Sequence, residues 1–443
     1  MNNIDEKLLE KFEKNYDSKL ENKVIENAIF KNGIKATSTV NEVVKKHNYQ
    51  FSVEVNTPSV TNQKSSGRCW IFAALNSVRI KLMKELNLEA LELSQNFLHF
   101  YDKLEKANVY LTWIYEKGLE LDNEDRLFRH FNANPISDGG YWEFFTGLIK
   151  KYGIVPKGIM NESFHSEATN DMVIQINWRL KAYTMRMREE FSKSKDLKKV
   201  ALLKEQALED VYNILVKALG KPPKKFVYEY TDKDKKFVRL DEQSPKEFYE
   251  KYVGDFIDNK VDLVADPRPA QPKNRLIVSK DTKNMVNGQP LEMVNVSIED
   301  LKKAMIEQLK AGESVWFGCD VSTFLASKEG ILDLKVFNYD LTLTKTPEFS
   351  KEEKFLSRAS VISHAMNMVG VNLDNNGKPL SWKVENSWGE DLGKKGFFSM
   401  SDEWFTEYNY MAIVDKKYLS KEILEAYDKE VIEISPFDPL CEE

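Results

Sequence analysis

The 443-residue chain is poor in cysteine and histidine, with three of the first and five of the second. Cys69, Cys319 and Cys441 are odd in number and far apart, which argues against a disulfide framework and fits a reducing cytoplasm where a thiol stays available. His47, His99, His130, His165 and His364 form no His-x-x-x-His pair and no Cys/His cluster at metal-ligand spacing, so no metal or other cofactor is expected. Long apolar runs are missing too. Nothing approaches the roughly 18 consecutive apolar residues of a membrane span, and the charged opening MNNIDEKLLEKFEKNYDSKLENK has no signal-peptide core. Neither sign of charge dominates: 64 basic and 70 acidic residues leave −6, no general case for nucleic-acid binding. Internal repeats and low-complexity linkers are absent. With 42% hydrophobic and 30% charged residues, the composition is that of a soluble globular protein, and the length allows two or three domains.

Against that background the stretch NQKSSGRCWIFAAL, residues 62–75, stands out. Cys69 sits where a loop enters a helix expected to run to about Leu86, with Ile71, Leu75, Val78, Leu82 and Leu86 at helical spacing. Unpaired backbone N–H groups and the positive end of the helix dipole favour thiolate over thiol at such a position. Gln63, six residues upstream, can bring an amide donor to the same point.

A cysteine nucleophile needs a base. His364 opens the strand-like run HAMNMVGVNL, which ends in the turn Asp374-Asn375-Asn376-Gly377; the return run LSWKVEN ends at Asn386. His364 lies about ten residues before the turn and Asn386 about ten after it, so an antiparallel hairpin sets them side by side. An amide beside an imidazole fixes its tautomer and orientation, the third role in a nucleophile–base–orienter set. Trp388, in NSWG, can shield that hydrogen bond from water. Taken singly, each residue has a plainer reading: Cys69 a buried structural cysteine, His364 a satisfied core histidine, Asn386 a turn residue. Cys319, inside VWFGCDV, reads as core, and His165 as a loop or helix-cap residue. The joint pattern favours chemistry.

Along the chain, residues 5–30 read as short amphipathic helices and 49–62 as an extended lead-in. Helices dominate to about residue 220, where KPPKK interrupts. FVYEY (226–230) and KKFVRL (235–240) read as a β-hairpin. A helix is expected at 298–311, then strands at 313–321, 330–337 and within 361–415. The front half is helical, the middle irregular and the back half strand-rich.

The motifs QxxxxxCW (63–70), SHAM (363–366) and ENSWG (385–389) resemble the signature regions of papain-like cysteine peptidases, nearest the bleomycin hydrolase and bacterial aminopeptidase C branch. SSGRCWIFAALN, SDGGYWEFF (137–145), NESFHSEAT (161–169) and WFGCDV (316–321) extend the resemblance over nearly the whole chain. It implies an α+β, papain-like two-lobe fold, a helical lobe plus a β-barrel-like lobe, with a large helical and arm insertion. Residues 1–150 would hold the N-terminal segment and the helical lobe with the cysteine. Residues 151–297 would be an inserted helical region and oligomerisation arm, which the hairpin would fit, and 298–433 the β-rich lobe with the histidine and asparagine.

By residue, the resemblance makes Cys69 the nucleophile, His364 the base and Asn386 its orienter. The Gln63 amide and the Cys69 backbone N–H become the oxyanion hole, worth roughly 3 kcal/mol per donor. Gly139, Gly140 and Trp388 would line the substrate cleft. It also implies a homohexamer acting on peptide substrates, with a C-terminal tail, here 434–443, that enters the cleft and holds the substrate's N-terminal ammonium. Pro436-Phe437-Asp438-Pro439-Leu440 keep the tail pattern, but Cys441-Glu442-Glu443 replaces small apolar residues, leaving the register of Glu443 open. The implied activity is a cytoplasmic cysteine aminopeptidase of broad specificity. Alternatives are a non-catalytic peptide-binding or chaperone-like hexamer, and an endopeptidase or acyltransferase using the same nucleophile.

Overall fold

The helix that Cys69 opens, Cys69–Glu85, is apolar on nearly every face: Trp70, Ile71, Phe72, Ala74, Leu75, Val78 and Leu82 are all buried. Such a helix belongs at the centre of a fold, and it runs between the other helices and the sheet. The computed structural model describes residues 3–442. Around this helix pack Gln95–Trp113, whose Ser94 cap accepts from the Phe97 N–H, and Trp142–Tyr152. A long helical hairpin follows, Asn170–Ser194 and Leu197–Leu219, turned at Lys195 in the left-handed region (φ 52°). Val200, Ala207, Val211, Leu215 and Leu219 form its buried stripe.

The back of the molecule is a twelve-stranded sheet. Its order is Ile432–Glu433, Arg275–Ser279, Leu291–Asn295, Lys260–Val264, Asn409–Asp415, Val315–Cys319, His364–Leu373, Pro379–Glu385, Phe397–Ser401, Ile331–Leu332 and Leu325–Ala326, with Val53–Glu54 pairing on His364–Leu373. Helix Ile298–Lys310 covers one face, its first turn capped by Ser297. The apolar core accordingly has two main parts, one among the helices and one between the sheet and Ile298–Lys310.

Helices Glu6–Asp17, Leu20–Asn32, Cys69–Glu85 and Ile298–Lys310 and the hairpin Phe226–Thr231/Phe237–Gln243 stand where periodicity and turn residues put them. Two features differ. Residues 260–295 carry three strands that join the main sheet through Lys260–Val264 against Asn409–Asp415, so this stretch continues the strand-rich half instead of forming an irregular middle. Within 330–337 only Ile331–Leu332 is strand, because Gly330 and the Asp333 turn bend the chain on either side. The 226–243 hairpin is anchored at both ends: Phe226 packs on Phe248, and the Asn87 carbonyl accepts from the Lys233 N–H while its amide donates to Asp232 and Asp234.

Candidate active site

Arg68 is fully buried just ahead of Cys69. Its guanidinium lies 2.9 Å from Glu162, its Nε donates to Ser66 Oγ at 2.9 Å, and its charged group sits over the Phe72 ring. Beside it the Gly67 N–H donates to Asp138 Oδ2 at 3.1 Å and the Trp70 indole to the Asp138 carbonyl at 2.8 Å. The loop before the helix is thus fixed from both sides, and Cys69 emerges partly exposed at the first helical position. A Cβ on Gly67 would meet Asp138 Cβ at 2.6 Å, which accounts for the glycine in SSGRCW.

His364 begins its strand opposite Cys319, and the hairpin register pairs Asn367 with Glu385. That register brings His364 Nε2 within 2.9 Å of Asn386 Oδ1. The Ser387 N–H also donates to Oδ1, at 2.8 Å, which identifies that atom as the acceptor. The ring therefore donates from Nε2, and Nδ1 is left to exchange a proton. Trp388 lies against the ring, centroids 4.9 Å apart, covering the hydrogen bond.

Cys69 and His364 line one cleft together with Gly139, Gly140, Tyr141 and Glu442. Gly140 is packed so closely on Trp70 that a Cβ would approach the indole to 2.6 Å. Gln63 is held by its carbonyl end: Ser387 Oγ donates to Oε1 at 2.6 Å, while Nε2 donates to the Ser66 carbonyl at 2.5 Å. The Ser66 bond uses one of the two Nε2 hydrogens, and Gln63 is not among the residues that line the cleft of Cys69 and His364.

Electrostatically the pair differs from the sequence expectation of a resting thiolate. Burial pushes the Cys69 thiol up, outweighing the backbone N–H groups of Ala365, Trp70 and Cys69 that favour the anion. Burial likewise pushes His364 down to about 4, with the Asn386 bond acting in the opposite direction. Desolvation thus acts against the charged form of both groups, and the backbone N–H groups at the helix start offset part of it for the thiol.

The tail folds into the cleft region. Asp438 caps a short turn, Pro439–Cys441, and pairs with Arg268 at 2.8 and 3.0 Å, an arginine also bound by Asp266. Phe437 lies under the Arg126 guanidinium, 3.9 Å away. The Tyr141 hydroxyl donates to the carbonyls of Leu440 and Glu442 at 3.3 and 3.1 Å. Glu442 does not present a bare carboxylate: Arg358 Nε lies 2.6 Å from Oε1, and Arg358 Nη2 donates to the Phe437 carbonyl. Beyond Glu442 opens a cavity of about 490 Å³. Glu443, expected to meet substrate, lies outside the described residues.

The model of the Peptidase C1-like family matches residues 3–441. The chain belongs to the Peptidase C1-like family. Within this family it is 42% identical over 433 residues to Aminopeptidase C of Listeria monocytogenes serovar 1/2a, covering 98% of this chain and 97% of that one. It is 36% identical over 400 residues to human bleomycin hydrolase, covering 89% and 88%. The crystal structure of PepW from Lactobacillus rhamnosis superposes with a TM-score of 0.95 at 35% identity, over 99% of this chain and 98% of that one. The α+β, papain-like fold expected from the motifs is borne out.

Cys319 is fully buried in its strand, as read. His165 sits in the short helix Phe164–Glu167, behind a Ser163 cap. The sequence reading missed Ser387, which orients Gln63, and Arg358 and Tyr141, which hold the tail. Only the Ser in NSWG carried a local hint.

Proposed function

We propose that this C1-like peptidase is a cysteine aminopeptidase that removes N-terminal residues from peptides. The observation that carries the reading is a partly exposed Cys69 at a helix start sharing one narrow cleft with an imidazole whose Nε2 is engaged by Asn386. Names of the relatives, Aminopeptidase C and bleomycin hydrolase, support the same class.

In this mechanism His364 Nδ1 takes the Cys69 proton as Sγ attacks the scissile carbonyl. Charge developing on the carbonyl oxygen meets the Gln63 Nε2 hydrogen and the Cys69 N–H. The imidazolium, steadied by Asn386, protonates the leaving amine, and the thioester is released when water attacks with His364 again as base. Gly139 and Gly140 leave room for a substrate backbone, and the tail limits the cleft near Glu442, so that short N-terminal segments fit.

A homohexamer working in the cytoplasm completes the reading. Exposed Leu9, Phe12, Leu20, Val24 and Phe30 on the first two helices, which bury no residue of their own, support burial against another copy. Among the described residues no helix is long and apolar enough to cross a membrane.

Cys69→Ala should abolish hydrolysis of aminoacyl amides while the circular dichroism spectrum and melting profile stay those of the parent; retained turnover sinks the assignment. Adding an amine acceptor separates hydrolysis from acyl transfer, because a transferase would divert product into the new amide.

A further inference from the structure

Away from the cleft, Glu143 and Asp262 are 5% and 4% exposed, and neither Glu143 Oε2 nor either Asp262 oxygen has a hydrogen-bond partner. Glu143 is the second residue of helix Trp142–Tyr152, and Asp262 is the middle of strand Lys260–Val264, opposite Ile413. Both line a cavity of about 170 Å³ whose wall also includes Glu292 and Tyr427. Buried carboxyl oxygens without partners are costly. Burial pushes Glu143 up to about 8, with Glu292 adding to the effect, and pushes Asp262 well up, with Glu143 adding.

The neighbouring lysines do not resolve this. Lys150 is bound to Asp258, and Lys260 to Glu313 and Asp415, while Lys416 is exposed at the rim. Among the described residues no three His, Cys, Asp or Glu side chains are placed to hold a metal ion. A cation with its own directed N–H donors can displace the protons that burial holds on the two carboxyls and leave their oxygens as acceptors.

We propose that this cavity binds a small primary ammonium ion between Glu143 and Asp262. Its positive charge favours the ionised form of both carboxyls, the released protons pass to solvent, and its N–H groups satisfy the orphaned oxygens. The cavity shares no lining residue with the Cys69 cleft, so the inference is independent of the peptidase reading.

The probe is methylammonium chloride, compared with sodium chloride and tetramethylammonium chloride at equal ionic strength and neutral pH. The melting temperature of the full chain should rise saturably with methylammonium alone, because a ligand bound only by the folded state stabilises it. The rise should vanish in Asp262→Asn, and in Glu143→Gln should the first variant fold poorly. Equal shifts from all three salts, or a methylammonium shift that survives in both variants, overturn the proposal and leave a water-filled cavity lined by protonated acids.

Discussion

Nε2 of His364 lies 2.9 Å from Oδ1 of Asn386, and the Ser387 N–H holds that same oxygen from the other side. The amide can therefore turn only by giving up a backbone hydrogen bond, and the imidazole stays in a single tautomer. Asn386→Ala should lower kcat/KM by about tenfold to a hundredfold, less than loss of the base itself. The alkaline and acid limbs of the pH–rate profile should also move, since the Nε2 proton loses its acceptor. An unchanged kcat/KM would show that Trp388 packing alone orients the ring.

His364 gives a stability prediction with a definite sign. Its folded pKa, about 4, lies below the ordinary value of about 6.5. Above pH 6.5 the ring is neutral in both states and the contribution is fully present. As pH falls toward 4 the unfolded chain takes up a proton that the fold rejects, so stability is lost across that window, by at most about 3 kcal/mol. Urea midpoints of the parent and of His364→Ala, measured from pH 7 to pH 4, should converge on the acid side. Parallel curves would refute the depressed pKa.

Arg358 bridges Glu442 and the Phe437 carbonyl, so it pins the tail where it meets the cleft. Both side chains are more than a third exposed, and such pairs are worth about 1 kcal/mol or less. Arg358→Ala should therefore raise cleavage of N-blocked relative to free-amine peptides by about fivefold at most. Deleting residues 440–443 should produce a larger shift in the same direction. If the deletion shifts the ratio and Arg358→Ala does not, the partly buried Arg268–Asp438 pair and the Tyr141 bonds set the tail's position without Arg358.

Much of the site was legible because its signals are local. The Asp374-Asn375-Asn376-Gly377 turn dictates a hairpin, and counting outward from it sets His364 near Asn386. The apolar run after Cys69 dictates a helix. What stayed hidden depends on contacts between distant segments. Strands 260–295 join the sheet by pairing with Asn409–Asp415, some 150 residues away, and no local pattern records such a partner. The Ser387–Gln63 bond and the Arg358 bridge are hidden for the same reason. The thiolate expectation weighed the helix end, which sequence shows, without the burial, which it does not.

The helix carrying Cys69 is stitched to the strands carrying His364 and Asn386 by buried polar bonds. Asn367 donates to the Ala73 carbonyl, Ser77 donates to Asn367, Asn76 donates to Glu385, and Arg79 is ion-paired with Glu385. These bonds tie the helix that carries the sulfur to the strands that carry the imidazole and its amide. Bringing sulfur and imidazole apart would require breaking these buried bonds, each costly to leave unmade. On the proposed aminopeptidase reading, such a fixed pair would leave selection to the cleft's walls, and Glu442 is one of them.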